Sequence, residues 1–110
     1  AAWGEKDGTV SNSERCLSRQ RAFRAPPGAA RPDWWMVCEV ARRLGAEDGF
    51  DYAGPAQILR EHAALSAALP GRRELDLGAL AALDEAGYQR LVPQAWPAPA
   101  GQTPQAPRRL

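Results

Sequence analysis

A chain of 110 residues is long enough for one compact domain and too short for two. Fourteen Lys and Arg against thirteen Asp and Glu leave a net charge of +1, which removes any broad electrostatic case for a nucleic-acid or anionic-membrane partner. Ten Gly, ten Pro and few β-branched residues favour helices joined by irregular connections over a sheet-rich domain.

From Ala1 to Arg31 no 3.6-residue period is sustained, and Gly4, Gly8, Pro26, Pro27 and Gly28 punctuate the segment, so an ordered loop is expected. Within it RCLSRQRAF suggests one or two short extended pieces, with Leu17 and Phe23 as apolar anchors among Arg and Gln side chains that prefer water. Gly4 and Gly8 free the backbone for tight turns, and Lys6, Thr9, Asn12 and Arg15 supply donors along one short stretch. Such a loop can cradle a phosphorylated ligand or simply cap a neighbouring sheet. Neither GxxxxGK[ST] nor GxGxxG is present.

The segment DWWMVCEVARRLG predicts a helix with Asp33 as N-cap, Gly45 as the stop, and Arg42 and Arg43 near the negative end of its dipole. Trp34, Val37, Cys38, Ala41 and Leu44 form one apolar face. The adjacent Trp34 and Trp35 can both be covered only if the helix is nearly enclosed. A second helix is predicted over PAQILREHAALSAAL, opened by Pro55 and closed by Pro70 and Gly71, with Ile58, His62, Leu65 and Leu69 on one face. Shorter helical turns follow at DLGALAAL, capped by Asp76, and at DEAGYQRL, capped by Asp84 with Tyr88 and Leu91 inward. After Pro93 the proline-rich QAWPAPAGQTPQAPRRL, with Trp96 and Leu110 as its large apolar anchors, suggests a linker.

Few residues offer chemistry of their own. Cys38 and His62 could pair as nucleophile and base, but both fall on apolar helix faces, where a small core hydrophobe and a packed imidazole are the stronger readings. The Arg pairs at 42–43, 72–73 and 108–109 are dispersed and balanced by acids, which suits solvated faces better than phosphate contacts. Glu5, Asp7, Glu14 and Glu39 are expected to be solvated rather than to act as an acid/base pair. Cys16 and Cys38 have no zinc spacing and fit a reducing compartment. No run reaches the roughly 18 apolar residues of a membrane helix and no secretory signal opens the chain, so a soluble cytoplasmic protein is expected.

The pair WGEKDGTVSNSER and APPGAARPDWW resembles the molybdopterin oxidoreductases of the dimethyl-sulfoxide-reductase superfamily. GPAQILREHAALS, the DLGALAAL run and PQAWP extend the resemblance, mostly to the assimilatory nitrate reductase branch with formate dehydrogenases second, so that it covers Trp3 to Pro97. The resemblance implies a mostly α piece with long ordered loops, cut from a larger α/β molybdopterin-binding subunit. Residues 1–31 would be a cofactor-side loop, 32–92 a helical segment, and 93–110 a linker toward a further domain.

The implied parent holds molybdenum between two molybdopterin guanine dinucleotides, receives electrons from a donor protein or domain through a 4Fe-4S cluster, and reduces nitrate to nitrite. By motif match Lys6 and Asp33 would contact a guanine dinucleotide; for Asp33 that role competes with helix capping. Cys16 stands where such chains usually carry a second Arg. The ligands of the cluster and of molybdenum would lie outside this chain, which alone would be inactive. A small helical interaction module that binds through its tryptophans is the non-enzymatic alternative. The faces of Trp34, Trp35, Ile58, Leu65 and Tyr88 are expected to need a partner surface.

Overall fold

The computed structural model describes residues 1–69, 75–103 and 106–107. Strands β1 (Gly8–Ser11), β2 (Cys16–Gln20) and β3 (Gln94–Ala95) form an antiparallel sheet in the order β1-β2-β3. Helices α1 (Asp33–Arg43), α2 (Pro55–Ala68) and α3 (Glu85–Gln89) lie between β2 and β3 in sequence. The piece is therefore mixed α/β rather than mostly α: over residues 1–31, expected as an ordered loop with one or two short extended pieces in RCLSRQRAF, the chain builds a hairpin whose second strand lies in that stretch.

That hairpin is in register from Gly8 opposite Gln20 to Ser11 opposite Leu17. Asn12 closes its turn, its Oδ1 accepting from the Glu14 and Cys16 amides at 3.0 Å each. Arg15 takes a positive φ of 59° to complete the reversal. β3 then adds to β2, pairing Cys16 with Ala95 and Leu17 with Gln94. Of the proline-rich tail, Gln94 and Ala98 are buried, and the Trp96 amide donates to Arg15 O at 2.9 Å.

The core gathers Leu17 of β2, Ala56, Leu59 and Ala63 of α2, and Leu77, Leu80, Tyr88 and Leu91 of the segment that follows. The buried face of α2 is not the expected one. His62, Leu65 and Leu69 are exposed and Ile58 is half-buried, whereas Ala56, Leu59 and Ala63 face inward. Small side chains allow the short 3-10 turn at Gly78–Leu80 to approach closely, and the Ser66 hydroxyl accepts from the Leu77 amide at 3.0 Å. Asp84 caps α3 as expected, accepting from Gly87 N at 2.6 Å, and Tyr88 and Leu91 point inward. Asp76 holds the 3-10 turn through the Gly78 amide at 2.8 Å. The expected stop at Pro70 and Gly71, the Arg pairs at 72–73 and 108–109, and Leu110 lie outside the described residues.

α1 ends at Gly45 in a Schellman arrangement: Gly45 has φ +78°, its amide donates to Arg42 O at 3.0 Å, and Ala46 N donates to Ala41 O at 3.0 Å. Arg42 and Arg43 both pair with Glu39. Cys38 and Ala41 are buried, but Trp34 is only half-covered and Val37, Val40 and Leu44 are exposed, because α1 makes only marginal contact with the other helices and strands described. Phe23, expected as an anchor, is 77% exposed. No described helix is long and apolar enough to cross a membrane.

Candidate functional site

Lys6 lies between the 3-10 turn Trp3–Glu5 and β1, in extended conformation (φ −136°, ψ 148°). Extended backbone sends successive side chains to opposite sides, and here Lys6 turns toward α1 while Asp7 turns toward the Arg19 guanidinium at 3.2 Å. At the other end, Pro32 caps α1 and Asp33 is its first residue, with no side-chain capping bond. The expected N-cap role of Asp33 is therefore taken by Pro32, whose carbonyl accepts from Trp35 N at 3.1 Å and Met36 N at 3.3 Å.

Freed from capping, the Asp33 carboxylate accepts from Lys6 Nζ. The two residues singled out by motif, 27 positions apart, meet in one ion pair. It faces solvent, with side-chain exposures of 26% for Lys6 and 66% for Asp33. The hydrogen bond from Lys6, and then its charge, hold the Asp33 carboxyl below the usual carboxylate range. Nearby, the Ala1 amino group donates to Arg31 O at 2.6 Å, and Arg31 stacks over Trp35 at 5.8 Å. Gly4 lies against the exposed Phe23 ring, which meets Trp3 edge-on and would have to swing aside to admit a Cβ.

The other candidate donors do not join this pair. Asn12 and Arg15 occupy the far turn of the hairpin, about 20 Å along extended chain from Lys6, where Asn12 acts as an acceptor and Arg15 stacks on Trp96 at 5.5 Å. A phosphate cradle spanning Gly4 to Arg15 is thus replaced by a hairpin with one charged pair at its open end. Cys16 is buried, with its Sγ 3.7 Å from Ser18 Oγ. Cys38 is a core residue at 1% exposure, whereas His62 is exposed rather than packed. Among the described residues no group of three or more His, Cys, Asp or Glu is placed to hold a metal.

Sequence reasoning missed Arg19. Its side chain is only 1% exposed, donates to Gly8 O at 3.1 Å and to Gln20 O, and lies over the Tyr88 ring at 4.2 Å. The available signal was strand alternation, which puts Arg19 on the same side as Leu17.

Residues 1–43, which carry the hairpin, Lys6, Asp33 and all of α1, match the family described as Molybdopterin oxidoreductase. The chain belongs to that family. It is 52% identical over 97 residues to a nitrate reductase of Klebsiella oxytoca, covering 87% of this chain and 11% of that protein. A nitrate reductase of Shewanella frigidimarina is 46% identical over 98 residues, 86% of this chain and 10% of its own length. The alpha subunit of an F420-dependent formate dehydrogenase of Methanococcus maripaludis is 41% identical over 63 residues, 57% of this chain and 9% of that subunit. The chain thus spans about a tenth of the length of these relatives.

Proposed function

We propose that this chain is the segment of a molybdenum-dependent nitrate reductase catalytic subunit through which Lys6 and Asp33 hold one molybdopterin guanine dinucleotide. The observation that carries the reading is the meeting of those two side chains in a solvent-facing ion pair, inside the stretch matched by the family. For the substrate, similarity to the nitrate reductases runs through 87% and 86% of the chain against 57% for the formate dehydrogenase subunit, which favours nitrate over formate.

The donor set suits such a group. An ionised carboxylate only accepts, so Asp33 is matched to the adjacent N–H groups of a guanine edge. An ammonium has three donors, so Lys6 can serve a phosphate or ring oxygen while keeping or releasing Asp33. An exposed ion pair costs little to open. Lys6 and Asp33 would bind and orient, and α1 would fix the carboxylate through its first turn. When bound, the cofactor supplies oxygen-atom transfer at molybdenum, taking nitrate to nitrite with electrons delivered through a 4Fe-4S cluster. In this reading the chain positions a cofactor, does no chemistry of its own, and is inactive alone.

The test places Asp33→Asn and Lys6→Met in the nitrate reductase that contains this segment and measures molybdenum and guanine nucleotide released on denaturation. Both should fall at unchanged protein level. A full complement of both in each variant would refute the assignment.

A further inference from the structure

α1 is apolar over more of its circumference than the described residues cover. At about 100° per residue, the arc from Met36 through Val40, Leu44, Val37 and Ala41 to Cys38 spans about 200°. That is about twice the apolar stripe that a helix on the surface of a domain turns to its core. One half of the arc is packed, with Cys38 and Ala41 buried, and the other half is bare, with Met36, Val37, Val40 and Leu44 exposed. The charged residues Glu39, Arg42 and Arg43 occupy the remaining arc and pair with one another. The helix thus has a solvent face already, and the bare apolar half is a different one.

Past the stop at Gly45 the chain brings Ala46 and Phe50 alongside, and an apolar groove of about 440 Å³ lies between them and α1. Its lining residues carry no charge and no strong hydrogen-bonding group. A nucleotide, a metal ion or a charged peptide finds nothing there to bind, whereas an apolar, uncharged surface does.

The size of the face selects where that surface comes from. An eleven-residue helix is about 16 Å long and about 10 Å wide, so one side of it offers far less than the roughly 800 Å² per partner of a stable complex between separate chains. A surface on the same polypeptide is held near by its covalent connection and needs no such area. The nitrate reductase relatives are about ten times longer than this chain, which supplies that polypeptide.

We propose that the groove on α1 is an internal seam of the parent subunit, filled by an apolar, uncharged face of the same polypeptide from outside these 110 residues. In the separated chain the uncovered face gives only weak self-association. The seam shares no side chain with the Lys6–Asp33 pair and holds whether or not that pair binds a dinucleotide. Packed on both sides, α1 is fixed where its contacts with the other described elements are marginal, and Asp33 at its start is fixed with it.

The test uses the full-length nitrate reductase that contains this segment. Neither Val37→Cys nor Leu44→Cys enlarges the side chain, so both variants should fold. Maleimide labelling of each site is read by peptide mass spectrometry in native and in urea-unfolded protein. Both sites should label at least about a hundredfold more slowly in the native protein, because reaction must await local opening. Benzoylphenylalanine in place of Val40 should, on irradiation, cross-link to residues of the same subunit outside these 110, leaving the subunit's mass on a denaturing gel unchanged. Native labelling within about threefold of the unfolded rate, a cross-linked product of twice the subunit's mass, or a cross-link to a separate protein would overturn the proposal.

Discussion

Asp33 opens α1 without capping it, and its carboxylate reaches instead to Lys6, 27 residues earlier at the edge of the sheet. One contact thus ties an outlying helix to the hairpin and leaves both charges facing solvent.

The pair should be visible by titration. Because Lys6 lowers the Asp33 carboxyl from its ordinary 3.8, the pair's contribution is present above that value and lost as pH falls through the lower, folded one. Carbon-detected NMR should find Asp33 titrating below its ordinary 3.8, and Lys6→Met should return it to the ordinary range. A normal Asp33 in the parent chain would contradict the contact.

Arg19 should carry far more stability than its charge suggests. Arg19→Leu removes backbone bonds to Gly8 and Gln20, the stack on Tyr88 and the partner of Asp7. A cost of about 2–4 kcal/mol is expected in urea unfolding, toward the lower side of buried-pair losses because Asp7 is half-exposed. Arg19→Lys should recover little of it, since a single ammonium cannot reach all these partners. A change below about 0.5 kcal/mol, the size of an ordinary surface substitution, would rule this role out.

That residue also shows where the fold was legible in sequence and where it was not. Gly45 and Pro55 marked helix ends correctly, because local backbone chemistry decides a helix stop or first turn. An extended piece was legible in RCLSRQRAF, but its pairing with Gly8–Ser11 was hidden because β2 buries Arg19 and Gln20 beside Leu17, and hydrophobic alternation does not register a polar residue satisfied by hydrogen bonds. On α2 two faces shared the helical period, and the one with Ala56, Leu59 and Ala63 was buried because its small side chains permit close packing. Lys6 and Asp33 were singled out only by the family resemblance, since no local pattern reports a contact across 27 residues.

Two glycines should respond oppositely to alanine. At Gly78 a Cβ would lie 2.9 Å from the Ala100 backbone nitrogen and 3.1 Å from both Asp76 Oδ1 and the Ala67 Cβ, so Gly78→Ala should cost about 1–3 kcal/mol. At Gly8 nothing lies within 4 Å, and Gly8→Ala should leave stability unchanged or raise it by up to about 1 kcal/mol. Thermal unfolding of the two variants distinguishes them, and equal melting temperatures would contradict the packing around the Gly78–Leu80 turn.

The outer face of α1 should make the chain associate. Met36, Val37, Val40, Leu44 and Phe50 line an apolar groove, with Leu44 79% exposed. Val40→Lys with Leu44→Glu should suppress self-association in sedimentation while changing stability by about 0.5 kcal/mol or less per site. A large loss of stability would mean that the face is covered within the chain.

Tyr52 donates its hydroxyl to Glu61, which, with burial second, pushes its pKa up to about 12. A raised tyrosine pKa stabilises the fold at pH values below the ordinary 10, and that contribution is lost as pH rises toward 12. Ultraviolet titration of Glu61→Gln should show one tyrosine moved back toward 10, and an unchanged curve would exclude the bond.

The most direct measurement is a structure of the cofactor-loaded nitrate reductase that contains this segment. The account predicts Asp33 within about 3 Å of the guanine N–H edge and Lys6 Nζ at a similar distance from a phosphate or ring oxygen of the same dinucleotide. Lys6 and Asp33 still paired only with each other, with no dinucleotide atom in hydrogen-bond reach of either, would contradict it.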